Sequence, residues 1–209
     1  YNAKAVSALA AAHRAFGAPA GGDAGEDSLL VRASLLAKRL RESLWDPSAG
    51  QARFLPPAGE GQDVPRGLLA DHVAVATAYL DLYEETGADE HLRWAGESLD
   101  LAVATLYREE AGGFLDRRPA AGDFGSLAVP VYPFPHNAQA ACALLRHARG
   151  AVRADHLSVA VRTLCGLSGE YDGRGAFAAP YGSALLLYWK GNPGKACLPG
   201  DPACNPGQI

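Results

Sequence analysis

The sequence predicts an all-α protein built from repeated antiparallel helical hairpins. Three observations support this fold class: a short recurring element, helical spacing of apolar residues around glycine-containing turns, and prolines in the one apolar stretch that resembles a strand. The recurring element is an aromatic residue followed closely by glycine and phenylalanine. It begins at Trp45, Tyr107 and Tyr171, 62 and then 64 residues apart. One repeat is therefore a helical hairpin followed by a structured loop.

The first hairpin is predicted over residues 2–16 and 28–44, with a linker rich in Gly, Ala and Pro between its helices. Asp27 is the candidate N-cap of the second helix, because a carboxylate can accept hydrogen bonds from the first free N–H groups of a helix. The alanines of the first helix favour close packing against neighbouring helices.

The second hairpin has the clearest helical pattern. Apolar residues recur at three- and four-residue spacing before Gly87, at Leu69, Val73, Ala76, Leu80 and Tyr83. The spacing continues after Gly87, at Leu92, Ala95, Leu99, Val103 and Leu106. This pattern predicts two amphipathic helices joined by a turn. Asp89 is the candidate N-cap of the second of them.

The third hairpin is predicted over residues 137–149 and 155–167, and a seventh helix over 180–190. Residues 127–134 are apolar, but Pro130, Pro133 and Pro135 exclude a regular strand, so a loop is expected there. Further prolines follow the seventh helix. We therefore predict one domain over residues 1–191 and an irregular, Pro-rich tail over residues 192–209.

Hairpins of this length that pack side by side can close into an α/α toroid. We assign the first helix of each pair to the inner ring, so that helices one, three, five and seven are inner. Their Ala-rich composition agrees with this, whereas charged residues such as Arg39, Glu97 and Arg162 lie on the outer helices. The predicted fold is a partial α/α toroid of about three hairpins plus a seventh helix.

The composition excludes two classes of partner. The 209 residues carry a formal net charge of -4 and contain no run of five like charges, so nucleic acid is not an expected partner. No apolar stretch approaches the roughly 20 residues that cross a bilayer, so no membrane insertion is expected. The chain contains no Met, and we expect it to be a trimmed or partial form of a longer product.

The four cysteines form two pairs of different character. Cys142 and Cys165 lie on apolar faces of predicted helices, where buried free thiols are expected. Cys197 and Cys204 bracket a turn-rich segment and are either joined in a disulfide, which we predict, or reduced on the tail. A disulfide favours an exported, for example periplasmic, protein. No metal and no cofactor is expected, because metal-ligand spacing, an HExxH motif and a Gly-rich phosphate loop are all missing.

Polar residues recur at the start of each predicted inner helix: Asn2, Asp71, His72, His136, Asn137 and Tyr181. In a toroid these helix ends rim the central cavity. Asp71, His72 and His136 are candidate catalytic residues, since carboxylates and imidazoles can act as general acids and bases. The candidate substrate-binding residues are Asn2, Asn137, Tyr132 and Tyr181. The alternative is structural: Asp71 and His136 cap helices, and the repeat aromatics Trp45, Tyr107 and Tyr171 wedge beneath their loops.

Six segments together carry a resemblance to a known family: residues 1–2, 67–72, 80–87, 112–114, 135–137 and 144–145. In this order they resemble the C-terminal part of the YyaL-type family, which is similar to spermatogenesis-associated protein 20. The resemblance implies an α/α toroid related to N-acylglucosamine 2-epimerases and six-hairpin glycosidases. The thioredoxin-like domain of that family has no counterpart in these residues, so no redox activity is implied.

Two classes of function stay open. The first is a non-catalytic module that serves a larger protein or assembly through protein interaction or carbohydrate binding. The second is a carbohydrate-active enzyme, either a sugar epimerase or isomerase or a glycoside hydrolase. Seven helices leave two apolar flanks uncovered, one around Val6 and Phe16 and the other around Leu187 and Tyr188. We expect these flanks to be covered by the rest of the polypeptide, by a second copy or by another protein.

Overall fold

The computed structural model describes residues 1–17, 28–53 and 65–191. The chain folds as two compact units, unit 1 (Tyr1–Leu101) and unit 2 (Ala102–Ile209). This division into compact units does not test the prediction of one domain over residues 1–191, which stays a prediction. The tail at 192–209, and with it the predicted disulfide between Cys197 and Cys204, lies outside the described residues.

Unit 1 contains α1 (Asn2–Phe16), α2 (Leu29–Leu44), α3 (Leu69–Thr86) and most of α4 (Asp89–Leu106). Helix α1 packs against both α2 and α3, which is the behaviour predicted for an inner helix. Alanine allows this close approach, because Ala10, Ala33 and Ala76 are all fully buried. The predicted limits of α1 and the predicted turn at Gly87 are confirmed.

Two predicted N-caps are wrong. The cap of α2 is Ser28, whose hydroxyl accepts a hydrogen bond from Val31 N at 3.2 Å. Asp27, predicted for this role, lies outside the described residues. Asp89 is the first helical residue of α4 rather than its cap, and its charge lies in the first turn, where a carboxylate stabilises the positive end of the helix dipole.

Unit 2 contains α5 (Phe134–Ala151), α6 (Ala154–Leu167) and α7 (Ala179–Gly191), together with 3₁₀ turns at Gly125–Ala128 and Gly175–Ala178. Helix α5 packs against both α6 and α7, again as predicted for an inner helix. The proline-rich loop is confirmed up to residue 133. Helix α5 begins earlier than predicted, with Pro135 as its second residue, because proline is tolerated in the first turn, where no intrahelical N–H bond is lost.

The structured loops of the repeat are short β-hairpins in the first two copies. In unit 1, β1 (Trp45–Asp46) pairs with β2 (Gly50–Gln51), and in unit 2, β3 (Tyr107–Arg108) pairs with β4 (Gly113–Phe114). The third copy is instead the 3₁₀ turn Gly175–Ala178. Two-residue strands are too short to show the alternation that reveals a strand in a sequence, and the sequence analysis predicted only loops here.

The predicted exposed flanks are only partly correct. Val6 and Tyr188 are buried at 0% and 2% exposure, because they point into the hairpin cores of units 1 and 2. Phe16 is exposed, and Leu187 is half-buried. Among the described residues, no helix has both the length and the apolar composition needed to cross a membrane.

Close packing in unit 2 makes a glycine indispensable on α6. A Cβ atom at Gly166 would lie 2.9 Å from the carbonyl oxygen of Gly112, whereas a Cβ at Gly182 on α7 would meet nothing within 4 Å. We predict that Gly166→Ala lowers the free energy of unfolding by about 1–3 kcal/mol, through steric overlap with backbone.

The matched control is Gly182→Ala, which is expected to raise the free energy of unfolding by up to about 1 kcal/mol, because alanine favours the helix. Urea unfolding of both variants measures the difference. Equal effects of the two substitutions would contradict this packing.

Candidate functional site

The fourth residues of α3 and α5 occupy equivalent places in the two units. They are His72 and Asn137, with exposed fractions of 0% and 1%. Each lies against the β-hairpin that precedes its helix in the chain. Neither residue belongs to the lining of the unit 1 cavity described below, although both are candidate site residues in the sequence.

Asn137 joins α5 to the β3–β4 hairpin through two hydrogen bonds and makes a third to the residue that precedes α5. Its Oδ1 accepts from Phe114 N at 2.6 Å, and its Nδ2 donates to Phe114 O at 2.9 Å and to Pro133 O at 3.1 Å. The carboxamide thus satisfies both backbone groups of a buried strand residue. This role is structural, and a substrate-binding role of Asn137 stays a prediction.

His72 holds the β1–β2 hairpin by packing. Gly50 has φ +86°, and a Cβ atom there would lie 2.8 Å from both Cε1 and Nε2 of the imidazole. On its other side, His72 Nδ1 is hydrogen-bonded to Ser98 Oγ at 3.2 Å. These contacts give the fully buried imidazole a structural role, and a catalytic role of His72 stays a prediction.

The opposite side of the β1–β2 hairpin faces a cavity of about 460 Å³ within unit 1. Successive strand residues point to opposite faces, so Gly50 contacts His72 while Gln51 lines the cavity. The polar residues of the lining are Tyr1, Asn2, Gln51, Arg53 and Asp71. The structure therefore brings together two of the predicted site residues, Asn2 at the start of α1 and Asp71 at the start of α3.

Asp71 forms an ion pair with Arg53, with 3.1 Å between Oδ2 and Nε. The Arg53 backbone is fixed, since its N–H donates to Pro65 O at 3.1 Å. The Asp71 side chain is 24% exposed and that of Arg53 is 50% exposed, so both reach the cavity mouth. Such a pair adds little stability in contact with solvent, which leaves both groups able to bind a ligand.

Gln51 completes the polar wall. Its side chain is 2% exposed, and its Nε2 donates to Ala52 O at 3.2 Å. Its Oε1 is buried without a hydrogen-bond partner. Neither Gln51 nor Arg53 is predicted from the sequence, because both lie between helices, where no periodic signal marks them.

The candidate residues of unit 2 do not form a comparable group. Tyr181 is 5% exposed and lies between Tyr171, stacked at 5.6 Å, and Phe134 at 5.9 Å. Burial raises the pKa of Tyr181 to about 12. His136 is half-buried at the third position of α5, and Tyr132 lies beside Gly113 at the surface. Tyr181 is thus part of an aromatic core, which does not support its predicted binding role.

The aromatic residues that open the first two loops pack as structural wedges. The Arg41 guanidinium lies 4.6 Å from the ring centre of Trp45, and Tyr107 packs against Phe114 at 5.0 Å between ring centres. These contacts agree with the structural alternative for the two aromatics.

The two cysteines of the described part are free thiols. Cys142 Sγ donates to Pro180 O at 3.5 Å, and burial raises the pKa of Cys142 to about 11. A thiol with a raised pKa is a weak nucleophile at neutral pH, so Cys142 fills space between α5 and α7.

The fold of this chain is that of an α/α toroid, by likeness to solved structures. One is a family 76 glycoside hydrolase (mannosidase) from Bacteroides thetaiotaomicron VPI-5482, with a TM-score of 0.66 and 12% identity, over 90% of this chain and 53% of that one. Another is a family 76 glycoside hydrolase from a bovine Bacteroides thetaiotaomicron strain, with a TM-score of 0.67 and 12% identity, over 90% of this chain and 42% of that one. At this identity the likeness concerns the fold.

The sequence itself is similar to that of a particular protein. It is 30% identical over 103 residues to spermatogenesis-associated protein 20 of Rattus norvegicus, which covers 46% of this chain and 13% of that protein. This confirms the resemblance predicted from the sequence, and the chain matches only a small part of that relative's length. No family model matches the chain.

The hydrogen bonds of Asn137 lead to a stability prediction. Asn137→Ala leaves the buried N–H and C=O of Phe114 without their partners, and each lost partner costs about 1–3 kcal/mol. We expect the free energy of unfolding to fall by about 3 kcal/mol in denaturant titrations.

Asn2→Ala is the matched control, because Asn2 is exposed and lies at the first position of α1. It should change the free energy of unfolding by no more than about 0.5 kcal/mol. A stability loss in Asn2→Ala equal to that in Asn137→Ala would refute the structural assignment.

Proposed function

We propose that the chain is a non-catalytic carbohydrate-binding part of a larger α/α-toroid protein, and that its ligand occupies the cavity of unit 1. The observation that carries the proposal is the meeting of Asn2, Asp71, Arg53 and Gln51 around one cavity of about 460 Å³. This volume lies within the range of roughly 300–1,000 Å³ that is typical of small-molecule sites.

The charges of the cavity wall favour a neutral ligand. One carboxylate, Asp71, and one guanidinium, Arg53, balance each other across 3.1 Å. An anionic ligand would be repelled by the first and a cationic ligand by the second. A sugar hydroxyl can donate to Asp71 and accept from Arg53 at once, because it is both donor and acceptor.

The apolar part of the wall suits a sugar ring. Leu40, Leu44 and Val75 line the cavity beside the polar residues, and the C–H face of a pyranose can cover such surface while its hydroxyls point to the polar rim. The fold likeness to two family 76 glycoside hydrolases supports a carbohydrate ligand by analogy.

The wall favours binding over hydrolysis. Glycosidases generally use two carboxylates, one as acid and one as base or nucleophile. Asp71 is the one carboxylate among the described lining residues, and it is paired with Arg53. The second candidate function, a carbohydrate-active enzyme, keeps the support of the fold likeness to a mannosidase, with Asp71 as its acid or base.

The test is binding of methyl α-mannoside, glucose and N-acetylglucosamine, measured by calorimetry and saturation-transfer NMR. We expect at least one sugar to bind and Asp71→Asn to weaken that binding about tenfold or more, because a hydrogen bond to a charged acceptor is lost. Asp172→Asn, an exposed loop substitution in unit 2, should bind like the parent chain.

Two outcomes would decide between the candidate functions. No release of nitrophenol from 4-nitrophenyl α-mannoside, together with sugar binding, supports the binding function. Release that Asp71→Asn abolishes would establish the enzyme instead. Failure of every sugar to bind, with no turnover, would overturn both.

The interaction part of the proposal concerns exposed apolar residues. Phe16 and Leu35 in unit 1 are 82% and 61% exposed, and Phe124 and Leu186 in unit 2 are 80% and 56% exposed. We propose that further chain, a second copy or another protein covers some of these side chains. Sedimentation with an apolar dye tests this: a monomer that binds no dye would contradict it.

A further inference from the structure

A second cavity lies within unit 2, beside the C-terminal ends of α5 and α7 and the first turn of α6. Its volume is about 240 Å³. The apolar part of its wall is built from all three helices and from the turn between α5 and α6: Leu145, Ala148, Val152, Ala154, Leu157 and Leu187. None of these residues lines the cavity of unit 1. The unit 2 cavity is therefore a separate candidate binding site.

The charged side chains that line the unit 2 cavity are both cationic. They are Arg149 and Arg153, and the described lining residues include no carboxylate. Arg153 is already paired, because its Nε and Nη2 donate to the two carboxylate oxygens of Asp155 at 2.8 Å and 2.6 Å. Arg149 is exposed and forms no ion pair or hydrogen bond with the described part of the chain. One guanidinium thus stays available to an anion.

The aliphatic part of Arg149 packs beside the end of α7. A Cβ atom at Gly191, another lining residue, would lie 4.0 Å from Cδ of Arg149. A long cationic side chain commonly lays its methylene groups on apolar surface and keeps its charged tip in solvent. The flexible guanidinium of Arg149 can therefore reach an anion bound at the cavity mouth.

The helix ends around the cavity do not cancel the charge of Arg149. The negative end of the α5 dipole adjoins the positive end of the α6 dipole, because only two residues separate the helices. At the end of α7, Lys190 lies in the last turn and offsets the negative end of that helix. The cavity therefore has an excess of positive charge, which favours an anionic ligand.

Val152 places an apolar side chain at the edge of the cavity in an unfavourable conformation. It has φ 53° and ψ 47°, and it is the non-glycine residue with positive φ in the described part of the chain. A β-branched side chain is strained in this left-handed region, where helices usually end on glycine or asparagine. The side chain is also 88% exposed. An apolar ligand group in the cavity would cover it.

We propose that the unit 2 cavity binds a free aliphatic monocarboxylic acid of about eight carbons. The acyl chain lies against the apolar wall, and the carboxylate accepts hydrogen bonds from the guanidinium of Arg149, whose planar fork matches a carboxylate. The length follows from the volume. A cavity of about 150 Å³ holds benzene, so 240 Å³ accommodates roughly ten non-hydrogen atoms, as in octanoate. This inference does not depend on the proposed carbohydrate function.

The experiment titrates the full chain with octanoate, octanamide and octylammonium in a calorimeter, at low and at physiological ionic strength. The three probes share a chain of eight carbons and differ in the charge of the head group. We expect octanoate to bind about fivefold more tightly than octanamide, because pairing with an exposed guanidinium strengthens binding only moderately. The difference should shrink as salt is added, and octylammonium should bind more weakly than octanamide.

A series of acids tests the length of the ligand. From butyrate through hexanoate to octanoate, each added methylene should strengthen binding about threefold to fourfold, because it buries further apolar surface. Decanoate should bind no more tightly than octanoate, since the cavity is then filled. A steady gain beyond octanoate would contradict the proposed size of the ligand.

Methyl NMR spectra locate the bound acid. Octanoate should shift the methyl signals of Val152, Leu157 and Leu187, which line the unit 2 cavity. The methyl signals of Val75, which lines the cavity of unit 1, should stay unchanged. Shifts confined to other residues would overturn the assignment of this cavity.

Three variants test the roles of the named residues. Arg149→Gln should weaken octanoate binding about fivefold and leave octanamide binding unchanged. Arg118→Gln, which removes the same charge from an exposed loop residue of unit 2, is the matched control and should bind octanoate like the parent chain. Val152→Asn should weaken the binding of both probes about threefold, yet unfold at the same or a higher urea concentration, because asparagine tolerates the left-handed conformation.

The outcomes that overturn the inference are distinct from those that test sugar binding. Equal affinities of octanoate and octanamide, or an octanoate affinity that Arg149→Gln leaves unchanged, would exclude a carboxylate ligand held by Arg149. Absence of octanoate binding to the parent chain would overturn the inference as a whole. The sugar titrations concern unit 1, so the proposed function stands or fails separately.

Discussion

The contact between an inner helix and the β-hairpin before it is the constraint on which the rest of this structure depends. In each unit the fourth residue of the helix makes this contact. Asn137 satisfies both backbone groups of Phe114, and His72 packs on Gly50 so closely that no side chain fits there. Asn137 and His72 differ in chemistry, but each fixes a β-hairpin to its helix. The hairpins need this contact because a short hairpin cannot fold stably on its own. Each of these helices therefore has a loop of fixed structure beside its N-terminus.

This constraint also creates the cavity of unit 1. One face of the β1–β2 hairpin is closed against His72. Gln51 lies on the other face and lines the cavity together with Asp71. Two residues further along the chain, Arg53 lines the same cavity and forms an ion pair with Asp71. Adjacent helix residues are rotated by about 100°, so Asp71 points to the cavity while His72 is buried. The structural role of His72 and the proposed binding role of Asp71 therefore belong to neighbouring residues, and the first makes the second possible.

The sequence predicted the helices well because apolar spacing and glycine turns record helix packing directly, as at 2–16 and at Gly87. The site was predicted only in part. Asp71 and His72 are adjacent in the sequence, where both are candidate site residues. Only the rotation of about 100° between successive residues of α3 places their side chains in different surroundings. Gln51 and Arg53 reach the cavity because a hairpin of two-residue strands folds back on α3, a long-range event that local propensity does not encode. Tyr181 was predicted as a rim residue because its position repeats, yet contacts with Tyr171 and with Phe134 on another helix make it core.

The central claim, that the helix-to-hairpin contact is as stable as the fold itself, is tested most directly by native-state hydrogen exchange at the amide of Phe114. That amide donates to Asn137 Oδ1 at 2.6 Å in a loop of only two paired residues on each side. Our account predicts that it exchanges only through unfolding of unit 2, with the same free energy and the same dependence on denaturant as the core amides of α5. Exchange at the rate of an exposed loop amide, independent of denaturant, would contradict the account.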